Sequence, residues 1–152
     1  MTKEAYDEAL FLISLNRKLI DAGIGTLTDA QRAFLAVDIL NTAAKNNGLA
    51  HFFYYDGYLY ESAVRGLEMI GLPTIAERLG AYARTVFGNA YPLDAATRQQ
   101  VLDDNELETE AADSVFGKYI DIEPLVTEAL IKWADSNMDA FAGLPERPTQ
   151  RS

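Results

Sequence analysis

The chain has 152 residues, no cysteine, a single histidine and a formal net charge of −10. That length suits one domain with its own core, and the missing cysteines exclude disulfides, thiolate metal sites and cysteine nucleophiles. Residues 94–139 alone carry twelve acids against three bases, a field that repels nucleic acid, argues against direct DNA or RNA binding and favours a basic protein partner.

Residues 3–22 are predicted to form the first helix, with Tyr6, Ala9, Leu10, Ile13 and Ile20 as its apolar stripe and Thr2 as its N-cap. The apolar run from Phe11 to Leu15 is too short for a signal peptide or a membrane span, so a cytoplasmic protein with no membrane contact is expected. Gly23 stops the helix. Thr28 and Gln31 form a capping box that opens the second helix, whose core face is Ala33, Phe34, Val37, Leu40 and Ala44. Asn46-Asn47-Gly48 ends it.

Seven ring side chains follow within ten residues: His51, Phe52, Phe53, Tyr54, Tyr55, Tyr58 and Tyr60. That much apolar area belongs against other elements, either as plain core or as the wall of a pocket built from His51, Phe53, Tyr55 and Tyr58. A short helix is expected from Leu49 to Tyr55, then another from Ser62 to Ile70 burying Ala63, Leu67 and Ile70. Gly71-Leu72-Pro73 breaks the pattern, and Pro73 starts a helix with the stripe Ile75, Ala76, Leu79, Tyr82, Ala83 and Val86. Asp94 caps a short helix to about Leu102, and Asp103 or Asp104 caps another running to about Ile120. The last long helix is expected to start at Glu123-Pro124 and to turn Leu125, Val126, Ala129, Leu130 and Trp133 inward.

No segment alternates polar and apolar residues over strand length, so the predicted fold class is all-α: a single compact domain of about seven or eight helices over 1–143, with a flexible tail at 144–152. Phe34, Phe53, Leu67, Leu79, Val115, Leu130 and Trp133 are expected to be buried.

Catalytic apparatus is not visible. His51 has no triad partners, no serine lies in a nucleophile elbow, and phosphate- and dinucleotide-binding glycine motifs are missing. Asp103-Asp104-Asn105-Glu106 resembles the start of a calcium loop, but Glu108 stands where that loop needs glycine. No catalytic residue, metal ligand or cofactor is therefore predicted.

The acidic run at 103–113 holds Asp103, Asp104, Glu106, Glu108, Glu110 and Asp113 with no base among them. Placed on a helix, Leu107, Ala111, Val115 and Tyr119 would face the core and Glu106, Glu110 and Asp113 would project outward. Carboxylates on such a ridge, about 5–6 Å apart at Cβ, can stand in for phosphates before a protein that grips DNA with Lys and Arg. Acids near a helix start are also favoured by its dipole, and a charged outer face is ordinary.

Asn46-Asn47-Gly48, His51-Phe52-Phe53, Gly57 and the run Ala63 to Pro73 resemble the DNA-mimic protein family typified by a neisserial member. The resemblance runs from the second helix to about Phe87, with an echo at 103–120 that ends in Tyr119-Ile120. Leu49 and Tyr55 depart from the glycine and asparagine common at those places. The resemblance implies an all-helical, non-enzymatic protein, a homodimer, and a partner that is a transcription regulator or other basic DNA-binding protein. The matching residues are caps and core, so no binding residue transfers. The alternative is a helical module that binds a small molecule or peptide at the rings between His51 and Tyr60.

Overall fold

Helix α2 (Asp29–Asn47) is the element the others pack around. It buries Ala33, Phe34, Leu35, Ala36, Val37, Leu40, Ala43 and Ala44, and only a helix surrounded on several sides can be apolar so far round. The computed structural model describes residues 3–142, except the side chains of Ala5, Tyr6, Ala9 and Leu10. The Thr2 cap, the tail at 144–152 and three members of the first predicted stripe lie outside that description.

Eight α-helices and three 3-10 turns make up the described residues, and no strand occurs among them. Around α2 lie α1 (Lys3–Ala22), α3 (Leu49–Asp56), α4 (Tyr60–Met69) and α8 (Tyr119–Ser136), while α5 (Pro73–Phe87) bridges α4 to α7 (Glu106–Phe116), and α6 (Ala95–Asp104) lies on α3. The capping box is formed: Gln31 N donates to Thr28 Oγ1 at 3.2 Å, and Thr28 N donates to Gln31 Oε1 at 3.0 Å. The Gln31 amide also donates to Ala140 O at 2.8 Å, tying the start of α2 to the 3-10 turn Met138–Phe141. Phe34, Trp133 and Phe141 close that end as a ring trio with centroids 5.1–6.0 Å apart.

Helices α2 and α4 come together at Gly66, where an added Cβ would collide with Ala33 O and Val37 Cγ2. A second polar tie joins α2 to α8: Asn41 Nδ2 donates to Thr127 Oγ1 at 3.1 Å, which donates to Glu123 Oε1 at 2.9 Å, itself 3.7 Å from Lys45 Nζ.

Several predicted faces are corrected. On α1, Ile13 and Ile20 are exposed while Leu12, Leu15 and Leu19 are buried, so the true stripe is the leucine one. On α7, Leu107, Ala111 and Val115 face solvent, and Ala112 and Phe116 are buried instead. The helix is rolled by about one residue, which seats Phe116 edge-on to Tyr82 at 6.4 Å and stacked on Tyr119 at 6.0 Å. The roll buries the large Phe116 ring and gains its aromatic contacts, while Leu107 and Val115 are left in solvent. The boundaries move as well. Gly117, at φ +100°, ends α7, so α8 starts at Tyr119 and contains Pro124 rather than beginning there. Neither Asp103 nor Asp104 caps α7, because both belong to α6; Asn105 holds the junction by donating to Val101 O at 2.8 Å. Leu125 is exposed and Trp133 is half-buried, whereas Phe34, Phe53, Leu67, Leu79 and Leu130 are fully buried as expected. No helix among the described residues is long and apolar enough to cross a membrane.

Between α1 and α2, burial pushes the Asp38 carboxyl up from 3.8 to about 6, opposed in part by its hydrogen bond with Asn16. The Oδ1 of that same Asn16 has no donor. Between those two values the folded chain holds a proton that the unfolded chain has released, so this group's contribution to stability falls as pH rises from about 4 to 6. Asp38→Asn keeps the shape without the charge. It is expected to stabilise the fold at pH 7 by roughly 1–3 kcal/mol and to have little effect at pH 4, as read by urea unfolding at both pH values. Gly66→Ala is expected to destabilise by about 1–3 kcal/mol through overpacking, seen as a lower melting temperature.

Candidate functional site

The ring segment and the acidic run, separated by about a third of the chain, form the two walls of one open groove of about 500 Å³. Helix α3 supplies Ala50, His51, Tyr54 and Tyr55; the end of α6 supplies Leu102 and Asp103; α7 supplies Glu106, Thr109 and Glu110. On the first wall the His51 and Tyr55 rings lie 4.7 Å apart and the Tyr54 and Tyr55 rings 4.9 Å apart, edge to face. Tyr55 is 61% exposed, leaving ring surface open to a ligand.

Of the four residues predicted to build an aromatic pocket, only His51 and Tyr55 line this groove. Phe53 is wholly buried, stacked on Tyr82 at 5.4 Å and ringed by Tyr60, Phe87 and Tyr91, so it is core. Tyr58 is exposed outside the groove.

All six predicted acids are exposed. Asp104 accepts from Gln100 Nε2 at 2.9 Å. Asp113 sits apart from the rest, beside Tyr82: burial raises its carboxyl from 3.8, with the Tyr82 hydroxyl lowering it and Glu110 raising it. The Tyr82 hydroxyl itself has no well-formed hydrogen bond. Asp103, Glu106, Glu108 and Glu110 have neither a hydrogen bond nor an ion pair through their side chains; the Lys and Arg pairs of the described residues are made elsewhere, as Lys3–Asp7, Arg32–Asp29, Lys45–Glu123 and Lys132–Glu128. The run is thus an unneutralised edge.

What holds the two walls together is Arg98, which the sequence reading passed over. Its side chain is 2% exposed, yet none of the ion pairs above involves it. Its Nε donates to Phe53 O at 3.4 Å, and its Nη1 donates to Pro92 O at 3.1 Å and Leu93 O at 2.9 Å. Gln99 Nε2 donates to Tyr54 O at 3.0 Å. Carbonyls in the last turn of a helix lack intrahelical partners and carry the negative end of its dipole, so a cation placed there is both a cap and a counter-charge. The guanidinium also lies 5.9 Å over the Tyr91 ring, whose hydroxyl donates to Gly57 O at 2.8 Å. A Cβ at position 57 would collide with Arg98 Nε, so glycine there makes the room. The signal was legible in part: Arg98 stands four residues before Leu102, on the one face of α6 that is buried.

Comparison with known proteins gives a family. A model described as DMP19-like protein matches residues 25–137, about three-quarters of the chain. No curated protein and no solved structure matches it.

Because the buried Phe53 carbonyl and the part-buried Pro92 and Leu93 carbonyls depend on one guanidinium, Arg98→Met is expected to destabilise the fold by about 2–4 kcal/mol in chemical denaturation, the buried acceptor costing about 1–3 kcal/mol and the two part-buried ones less. The loss should be larger than that of Gln99→Met, which frees one carbonyl only.

Proposed function

The chain belongs to the DMP19-like protein family, and from that premise we propose that it is a non-enzymatic, acidic interaction protein, a DNA mimic that occupies the basic DNA-binding surface of a transcription regulator or similar protein. One observation carries the reading: Asp103, Glu106, Glu108 and Glu110 stand exposed on consecutive helices, and among the described residues no cation pairs with them. A solvated face built only for solubility is commonly laced with Lys and Arg at helical spacing. Among the described residues the i, i+4 and i, i+3 pairs fall on α1, α2 and α8, and α7 has none. At about 1.5 Å rise per residue, the carboxylates from Glu106 to Glu110 span roughly 6 Å of α7, comparable to about two phosphate steps along the axis of a DNA strand, and Asp103 extends the row from the end of α6.

Asp113 belongs less to this surface than the sequence suggests, since it faces Tyr82. Glu123 is occupied by Thr127 and Lys45. The edge is therefore the 103–110 stretch.

The test replaces Glu106, Glu108 and Glu110 together by glutamine. Stability should stay within about 0.5 kcal/mol, because exposed charges without partners contribute little. Capture of DNA-binding proteins from lysate should weaken at least tenfold, and its dependence on salt should flatten as fewer charges are matched. Unchanged affinity of the variant for an authenticated partner would overturn the proposal.

A further inference from the structure

The groove between α3 and α6–α7 joins two chemistries that are useful together. One wall is three packed rings, His51, Tyr54 and Tyr55; the other is three carboxylates, Asp103, Glu106 and Glu110, none paired with a base among the described residues. We propose that this groove receives an arginine side chain of the basic partner, its guanidinium laid on the ring of Tyr55 and its N–H groups donating to the carboxylates opposite. The inference rests on the charge-matching function above and deepens it, by naming where one partner residue is read.

Each property of the groove selects against other occupants. Anions are repelled by three acids. An apolar ligand would leave those acids desolvated and unpaired, which is costly. The carboxylates do not converge as a metal site would, and among the described residues no three His, Asp or Glu side chains are placed to hold an ion. A lysine ammonium could meet the carboxylates, but as a compact, strongly hydrated charge it gains less from a ring face. A guanidinium is planar, weakly hydrated and able both to stack and to donate two parallel hydrogen bonds to one carboxylate. The chain's own nearby arginine cannot fill the place, because Arg98 is buried and committed to the carbonyls of Phe53, Pro92 and Leu93. Size fits as well: a volume of about 500 Å³ takes one long side chain with water around it. Thr109 and the hydroxyls of Tyr54 and Tyr55 add polar atoms for that water to bridge.

The test uses two fluorescein-labelled peptides of the same length and charge, one with four arginines and one with four lysines spaced by glycine and serine, and measures binding to the full chain by fluorescence anisotropy. The arginine peptide is expected to bind at least about fivefold more tightly, the size of effect that a ring face adds for a guanidinium. Tyr55→Phe should keep that preference. Tyr55→Leu should abolish it while leaving the lysine peptide's affinity within twofold, and Tyr55 is exposed enough for both variants to fold. Equal affinities for the two peptides, or a preference that survives Tyr55→Leu, would overturn the groove while leaving the acidic edge as the binding surface, provided the lysine peptide still weakens in the Glu106, Glu108 and Glu110 glutamine variant. Binding of neither peptide overturns the charge-matching reading and the groove with it.

Discussion

A single buried cation pins α6, where the acidic half of this protein begins, to the end of α3. Arg98 is enclosed by protein and held by backbone carbonyls rather than by a carboxylate. Burying an uncompensated charge is ordinarily prohibitive. Here the guanidinium meets the negative end of α3, two loop carbonyls and the face of Tyr91, so several partial charges replace one full one. The surplus of acids along 94–139 adds a diffuse field of the favourable sign. Arg98 and Gln99 fix α6 across the end of α3, and α7 is seated chiefly on α5, where Phe116 meets Tyr82.

The structure therefore has two regimes. Around α2 the packing is dry and close, with Phe34, Phe52, Phe53, Leu67 and Leu130 shut away and α4 pressed against the α2 backbone at Gly66. Toward α6 and α7 the packing is lighter: α7 buries only Ala112 and Phe116, and its aliphatic stripe of Leu107 and Val115 lies open. A dense half carries the stability and a thinner half presents charge. This division suits a molecule whose binding face must not depend on burying that face.

Much of the fold could be read from residues alone, and the parts that could not share a cause. Helices α4 and α5 each offer one apolar face, and their predicted stripes are buried; the predicted stripe of α2 is buried too, together with Leu35, Ala36 and Ala43 on its other sides. Helices α1 and α7 each offer two. On α7 periodicity favours Leu107, Ala111 and Val115, but the choice is made by Tyr82, a residue of α5 remote in sequence, which rewards Phe116. Local pattern has no access to such a partner. The site divides the same way. Its acids announce themselves by charge, and its rings by density. Their meeting in one groove was not legible, because it depends on Arg98 and Gln99, which sit in AATRQQVLDD looking like surface residues. Phe53 was misplaced in the pocket for the converse reason: a ring in a cluster says nothing of which way it turns.

Gln31 completes the capping box of α2 and also reaches Ala140 O, 109 residues along the chain. The central helix is thus among the earlier parts of the chain to be synthesised, yet its first turn is completed by one of the later parts. On a ribosome, α2 must wait with Phe34 uncovered until Trp133 and Phe141 have emerged. Loop closure over so long a separation is entropically slow. The cover of the central helix at its Phe34 end is therefore the last part of this core that synthesis can supply.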